Sequence, residues 1–330
     1  MNIAELMDVA TGYWKSAVLI SAIEVGVFEV LADGPATAEE IAGKRSTAPV
    51  QTEELLNALA GLGILDKTGD RFSVVPSLAD TLNPSRSGNL IPALRFNADT
   101  YPIWGGLTQC VREGGPVVPT KAHLGDDPGR TWRFVEAMHS RAALFGPALA
   151  EGIGLNGSTR LLDVAAGPGT LSRCLAEKNP GLNVTLFDLP PILDAARRIQ
   201  EESAAFDRLA FHPGDYHTDE LPGGFDSVLY SGALHQESRD FARTLMSKIF
   251  NALEPGGAFY LVDFMVDESR TQPAFSVLFS LNMMLTRESG RVYTREQAQE
   301  LMAEAGFHNM ESRSVGQAPY VVIEAQKPNE

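Results

Sequence analysis

Apolar residues at Leu6, Val9, Ala10, Tyr13, Ala17, Ile20, Ile23 and Val27 recur three and four positions apart, which predicts helix over residues 7–31, in two pieces. A short helix follows at 38–42. Another, over 50–62, carries Leu55, Leu56, Leu59 and Leu62 on one face and stops at Gly63. Two short strand-like runs, 64–67 and 71–74, flank Thr68-Gly69-Asp70, the residue types of a tight turn. Helices followed by a hairpin form a winged-helix pattern. Residues 83–118 mix Pro, Gly and aromatic side chains with short helical pieces, and 134–151 reads as one helix. Beyond residue 160 the period changes. Apolar runs at 161–164, 184–187, 209–212, 225–230 and 258–264 alternate with helical stretches, among them 192–203 and 241–253. A helix over 294–305 and a strand over 320–325 complete the chain. This alternation predicts an α/β doubly wound sheet with ligands at the carboxyl ends of its strands. The expected division is 1–105 winged-helix domain, 106–152 helical connector and 153–330 α/β domain.

Composition narrows the function classes. The chain has 330 residues, 44% of them hydrophobic, which is ample for packed cores. Its net charge of −15 disfavours a polyanion partner. The would-be recognition helix carries Glu53 and Glu54 and no basic residue, so nucleic acid is not expected on the wing. Cys110 and Cys174 lie in no C-x-x-C arrangement, which suggests neither a disulfide framework nor a thiolate zinc site and fits a reducing cytoplasm. The N-terminal residues lack a basic, apolar leader pattern, and no run reaches the ~18 apolar residues of a membrane span, so a soluble, unprocessed protein is expected.

The candidate chemistry begins at residues 160–170, RLLDVAAGPGT, an apolar strand ending in Asp163, a turn containing Gly167 and Gly169, and a helix thereafter. A second strand ends on Asp188. Glycines admit backbone close to a ligand, the new helix offers free N–H groups, and an acid at the second strand tip accepts ribose hydroxyls, so the layout predicts an adenosine-cofactor site. Four features follow in order: Asp188, then Gly214-Asp215-Tyr216, then Leu234-His235, then Leu253-Glu254-Pro255-Gly256-Gly257. A nicotinamide site would favour a third glycine near Ser172 and gives no reason for the acid–aromatic pair. In a methyltransferase an acid accepts from the adenine amino group while a ring packs on its face. His212, His217 and His235 with Asp215 lack the i,i+4 spacing of a helical metal site, and no metal is expected.

With these motifs the chain resembles, over nearly its whole length, the S-adenosylmethionine-dependent O-methyltransferases of the plant caffeate and acetylserotonin type, in particular their bacterial relatives. Residues 12–17, GYWKSA, through 25–31, VGVFEVL, are similar to that family's dimerisation helices, and 59–65, LAGLGIL, to its winged-helix module. The resemblance implies a class I methyltransferase Rossmann-like sheet behind an N-terminal all-α/winged-helix dimerisation domain, a homodimer, and S-adenosylmethionine as cofactor. It implies that Asp163, Gly167 and Gly169 form the methionine-side and ribose-side turn, that Asp188 with Leu189 holds the ribose, and that Asp215 and Tyr216 flank adenine. Ser231 stands where many relatives have a cofactor-contacting lysine, and Ala165 replaces a usual glycine.

In the same resemblance His235 is the general base and Asp263 the first of two acids that flank it, which suits removal of a proton from a small hydroxylated, aromatic acceptor. Phe134 and Met138 correspond to positions near the reactive methyl, and Asn282, Met283 and Met284 to the acceptor pocket. His139 and Arg141 are polar neighbours for an anionic acceptor, unless they are a solvated face. Two departures stand out. Relatives follow the histidine with Asp-Trp where this chain has Gln236-Glu237-Ser238, and the second acid is missing near Val292-Tyr293, with Glu288 close in sequence. A capping role for His235, S- or C-methylation, and a cofactor-binding regulator that uses the wing remain alternatives at this point.

Overall fold

The computed structural model describes residues 1–118, 127–155, 157–315 and 319–329; residues 119–126 of the expected connector lie outside these. The chain divides into two compact units, Met1–Tyr101 and Pro102–Glu330.

In the first unit the long apolar periodicity becomes α1 (Ile3–Val25) and α2 (Val27–Leu31). The break falls at Gly26, whose φ of 80° is the left-handed conformation that glycine takes at least cost. Next come β1 (Ala36–Thr37), α3 (Ala38–Arg45), α4 (Pro49–Gly61), β2 (Leu65–Thr68) and β3 (Arg71–Val74). Thr37 caps α3 with Glu40 closing the reciprocal box. The hairpin predicted around Gly69 forms, and the two-residue β1 adds an unforeseen third strand in the order β1-β3-β2. Ile23, Phe28, Ile41, Leu56, Leu59 and Phe72 fill this unit's core. Two apolar regions stay outside it. Leu6, Met7, Val9, Tyr13 and Trp14 are exposed along the first half of α1, and Val50 is exposed at the start of α4.

Helix α5 (Ile91–Trp104) leads the chain onward to α6 (Leu107–Glu113) and α7 (Pro128–Gly152), which packs on α8 (Thr170–Lys178) and α9 (Pro190–Gln200). The second unit is built on a sheet of β4 (Arg160–Val164), β5 (Asn183–Asp188), β6 (Leu209–Pro213), β7 (Phe225–Ser231), β8 (Leu253–Phe264), β9 (His308–Ser314) and β10 (Tyr320–Gln326). Its order is β6-β5-β4-β7-β8-β10-β9. The first five strands are parallel, while β10 runs antiparallel between β8 and β9. Helices α10 (Arg239–Ala252), α11 (Ala274–Thr286) and α12 (Arg295–Glu304) complete the unit.

Alternate residues of one strand enter opposite layers, as two-sided burial demands. Leu161 packs with Leu149, Leu175 and Leu193, whereas Leu162 and Val164 pack with Leu245, Met246 and Phe259. Edge strand β9 has no apolar alternation and is mostly exposed. It is held by main-chain pairing to β10 and by the Arg313–Glu324 ion pair at 2.9 Å, features that a search for apolar periods misses. Strand order reverses at β4, where β5 lies on one side and β7 on the other. A doubly wound sheet opens a crevice at the carboxyl ends of such strands. Among the described residues no helix is long and apolar enough to cross a membrane.

Candidate active site

The strand tips carry the chemistry. Past β4, Ala165, Gly167 and Gly169 all have positive φ, at 57°, 54° and 68°. Gly169 is doubly constrained, because a Cβ there would lie 2.6 Å from Leu186 Cδ1. Gln200 Nε2, on α9, donates to the Pro168 carbonyl at 2.7 Å and to Thr170 Oγ1 at 3.3 Å, and so pins the turn from behind. His139 Nδ1 on α7 meets the same Thr170 hydroxyl at 2.7 Å. Burial, with Arg173 nearby, pushes His139 down to about 4, so this imidazole is neutral and braces the turn instead of meeting an anion as a cation. Arg141 is likewise withdrawn from water, which lowers its pKa, and it lies in the field of Tyr320. Neither residue is a solvated face.

A non-glycine residue in the left-handed region costs roughly 1–2 kcal/mol, and a glycine costs about 0.4–1 kcal/mol in unfolded-state entropy. Ala165→Gly is therefore expected to stabilise the fold by about 0.5–1 kcal/mol. Urea unfolding measures this, and a destabilised variant would show that the Ala165 methyl contributes packing worth more than its strain.

Asp163 is buried and accepts from Ser172 Oγ at 2.7 Å through Oδ2, while its buried Oδ1 has no partner. Burial first, then the charge of Asp188, pushes it up to about 7 against the opposing Ser172 bond. At the tip of β5, Asp188 accepts from the Gly167 N–H at 2.8 Å and from the Leu189 N–H at 2.7 Å. It is pushed up to about 6 chiefly by burial, with Asp215 adding a smaller push. Leu189 and Phe134 share a small apolar cluster with Val135, Ile192 and Ala195, which brings α7 against the start of α9.

Past β6, Gly214 donates its N–H to the Asp188 carbonyl at 3.0 Å, and a Cβ here would run into the Phe187 ring. Asp215 Oδ1 accepts from the His217 N–H at 2.9 Å, and the Tyr216 ring packs on Tyr230 and Phe241 with its hydroxyl donating to Glu237 Oε1 at 2.6 Å. Ser231 ends β7, half-buried and followed by Gly232 at φ 66°.

The next turn, Leu234–Gln236, carries His235, 5% exposed. Its Nδ1 lies 2.6 Å from Asp263 Oδ1, and its main-chain N–H donates to Asp263 Oδ2 at 3.2 Å. Asp263, at the tip of β8, is 1% exposed. A carboxylate only accepts, so the shared proton sits on Nδ1, and in the neutral ring that tautomer leaves the lone pair on Nε2. Ser238, not His235, caps α10 by accepting from the Phe241 N–H.

The region of the missing second acid supports the turn in another way. The Arg291 N–H donates to the His235 carbonyl at 2.8 Å, and the Tyr293 hydroxyl to the Glu237 carbonyl at 2.9 Å. Glu288 is exposed, whereas His235 and Asp263 are both buried.

An aromatic wall surrounds this base. Phe279 meets the His235 ring edge-on at 4.8 Å, and Phe264 packs on Phe279 at 4.7 Å and stacks on Tyr320 at 4.5 Å. Motif reading did not single out Phe264, Phe279 or Tyr320, because their meeting depends on the register of β8 with β10 and on the docking of α11. On α11, Asn282 Oδ1 accepts from Trp104 Nε1 at 3.1 Å, Met283 is buried and Met284 exposed, while Met138 is half-buried on α7. Among the described residues no three His, Cys, Asp or Glu side chains are grouped to hold a metal.

The residues fit an adenosine sulfonium. Asp163 presents an unpartnered buried oxygen, Gly167 and Gly169 leave a turn without side chains, and Asp188 has carboxylate lone pairs beyond its two backbone bonds. Comparison with known proteins points the same way. The chain is 29% identical to the tetracenomycin polyketide synthesis 8-O-methyl transferase TcmO of Streptomyces glaucescens, covering 98% of this chain and 96% of the other. It is 31% identical to the N,N-dimethyltransferase OxyT of Streptomyces rimosus, over 92% and 90% of the two chains. The crystal structure of human N-acetylserotonin methyltransferase in complex with SAM superposes with a TM-score of 0.91 at 26% identity, covering 99% of each chain. An O-methyltransferase dimerisation domain matches residues 7–79 and an O-methyltransferase domain residues 104–308. Strand-tip acids, glycine turn and buried histidine thus sit on a scaffold whose two halves both match one family, and the chain belongs to the O-methyltransferases.

Proposed function

We propose that this enzyme, a S-adenosylmethionine-dependent O-methyltransferase of small aromatic metabolites, uses His235 as the general base that frees the acceptor hydroxyl of its proton. The observation that carries the base assignment is the buried pair of His235 Nδ1 and Asp263 Oδ1 at 2.6 Å, which directs Nε2, the other ring nitrogen, away from the carboxylate. S-Adenosylmethionine, when bound, supplies an electrophilic methyl group on a sulfonium sulfur. Asp163, Gly167 and Gly169 would hold its methionine and ribose side, Asp188 and Leu189 the ribose, and Asp215, Tyr216 and Ser231 the remaining edge. Phe134, Met138, Asn282 and Met283, with the wall of Phe264 and Phe279, would orient a flat acceptor so that its hydroxyl meets Nε2. Nε2 takes the proton as the oxygen acquires nucleophilic charge, and Asp263 stabilises the resulting imidazolium.

Incubation with methyl-labelled S-adenosylmethionine and a panel of phenols, anilines and thiols, read by mass spectrometry, tests the reading. A labelled aryl methyl ether is expected. Label exclusively on nitrogen, the reading favoured by the likeness to OxyT, or on sulfur or carbon, would overturn O-methylation.

The exposed apolar side chains along α1, on a segment that matches a dimerisation domain, support a homodimer, and two buried free cysteines support a cytoplasmic setting. Exposed Glu53 and Glu54 on α4 speak against DNA as a partner. Light scattering is expected to give twice the chain mass at micromolar concentration, with no salt-sensitive shift of duplex DNA. A monomer, or duplex binding, would overturn this account of the N-terminal unit.

A further inference from the structure

We propose that Glu237 is a positioning residue that ties the adenine-side loop to the turn carrying His235, with the imidazolium of His217 as the bridge. The inference rests on the cofactor reading above and adds a coupling to it. Glu237 is buried directly after the Leu234–Gln236 turn and closes that turn by donating its N–H to the Leu234 carbonyl at 3.0 Å. Its two carboxylate oxygens reach across to the loop after β6: Oε1 accepts from the Tyr216 hydroxyl at 2.6 Å, and Oε2 faces His217 Nε2 at 3.1 Å. The other ring nitrogen, Nδ1, faces Asp215 Oδ1 at 3.3 Å. Glu237 therefore holds two neighbours of the proposed adenine acid through its carboxylate and the turn carrying His235 through its main chain.

A neutral imidazole has a single N–H. Between two carboxylates it would set its lone pair against one of them, whereas imidazolium donates to both. This geometry agrees with a raised His217 pKa, caused first by its bond to Glu237 and opposed by partial burial. The surrounding charges are few. Lys248 from α10 donates to the Tyr216 and Asp219 carbonyls at 3.0 and 2.7 Å, Asp219 accepts from the Asp215 N–H, and Arg287, just past α11, is attracted to Glu237. Tyr230 of β7, Tyr293 and Asp188 of β5 lie in the same field, and Phe241 of α10 stacks on the His217 ring at 4.2 Å. Because the folded pKa is raised, the bridge is complete below it and is lost as pH rises through it.

Calorimetry with S-adenosylhomocysteine at pH 6.5 and 8.5, together with imidazole NMR titration, tests the proposal in Glu237→Gln and in His217→Phe, which keeps a ring on Phe241. Both variants keep the gain in affinity that Asp163 and Asp188 contribute as they ionise, so the bridge is read as the ratio of wild-type to variant affinity, which is expected to fall roughly 3- to 10-fold from the lower pH to the higher. In Glu237→Gln the His217 titration midpoint should fall by about one pH unit or more, and kcat by roughly 10-fold with little change in the acceptor KM. A ratio of wild-type to variant affinity that is the same at both pH values overturns the bridge alone. Wild-type protein that binds no S-adenosylhomocysteine at either pH overturns the cofactor reading, and this inference with it. An unmoved His217 midpoint in Glu237→Gln overturns the bridge whatever the cofactor does.

Discussion

Replacing His235 by alanine is expected to lower turnover by ~10²- to 10⁴-fold while S-adenosylhomocysteine affinity stays within about twofold, the separation of chemistry from binding that a general base requires. The imidazole is held by a carboxylate on one side and by main-chain bonds to its own N–H and carbonyl, so its position is set before any acceptor arrives. In Asp263→Asn the amide N–H₂ is free to donate to Nδ1. That would put the ring proton on Nε2 and block the base, with a loss expected in the same range of ~10²- to 10⁴-fold. A His235→Ala enzyme retaining turnover within about threefold would make the residue structural and point to an acceptor whose lone pair or carbanion needs no base.

How much of this was legible in the chain depends on how local each signal is. The glycine turn, Asp188 and the buried strand before His235 announce themselves, because a strand, its tip and the following turn are contiguous in sequence. Asp263 ends an apolar run too, but its pairing with His235 comes from the family resemblance, because the two are 28 residues apart. The braces do not announce themselves. Gln200 reaches back to Pro168 across a whole βα unit, and Tyr293 reaches Glu237 from a distant loop. Where the second acid is missing, the segment around Val292 holds the histidine's turn through an N–H and a hydroxyl, groups that carry no motif. The run 275–285 is apolar nearly all round, a pattern that fits a core helix and a pocket wall equally. In the fold it buries Ser276, Met283, Leu285 and Thr286 and leaves Phe275 and Leu278 half exposed, while Phe279 turns to His235. Tertiary packing, not periodicity, decides which face of such a helix does what.

Asp188→Ala is expected to weaken S-adenosylmethionine and S-adenosylhomocysteine by ~1.5–3 kcal/mol, roughly 10- to 150-fold, because it removes the proposed charged acceptor for the ribose and orphans two N–H groups. Gly167 and Leu189 donate to this carboxylate, so its loss also loosens the turn against which the ligand lies. The pH dependence has a definite sign. Asp188 is pushed up to about 6 and Asp163 to about 7, both first by burial. A raised carboxylate pKa means that the folded apoprotein gives up stability from these groups as pH rises from their ordinary range through about 6 and 7, since the charged forms are disfavoured inside. Ribose hydroxyls and a cationic amino group favour those charged forms. Ligand affinity should therefore grow over the same interval, and the rise in Tm produced by saturating S-adenosylhomocysteine should be larger at pH 7 than at pH 5. In Asp188→Ala that growth should shrink to the part owed to Asp163. A thermal shift of equal size at both pH values in the wild type, or a Kd unaffected by Asp188→Ala, would remove the strand-tip acid from the cofactor site.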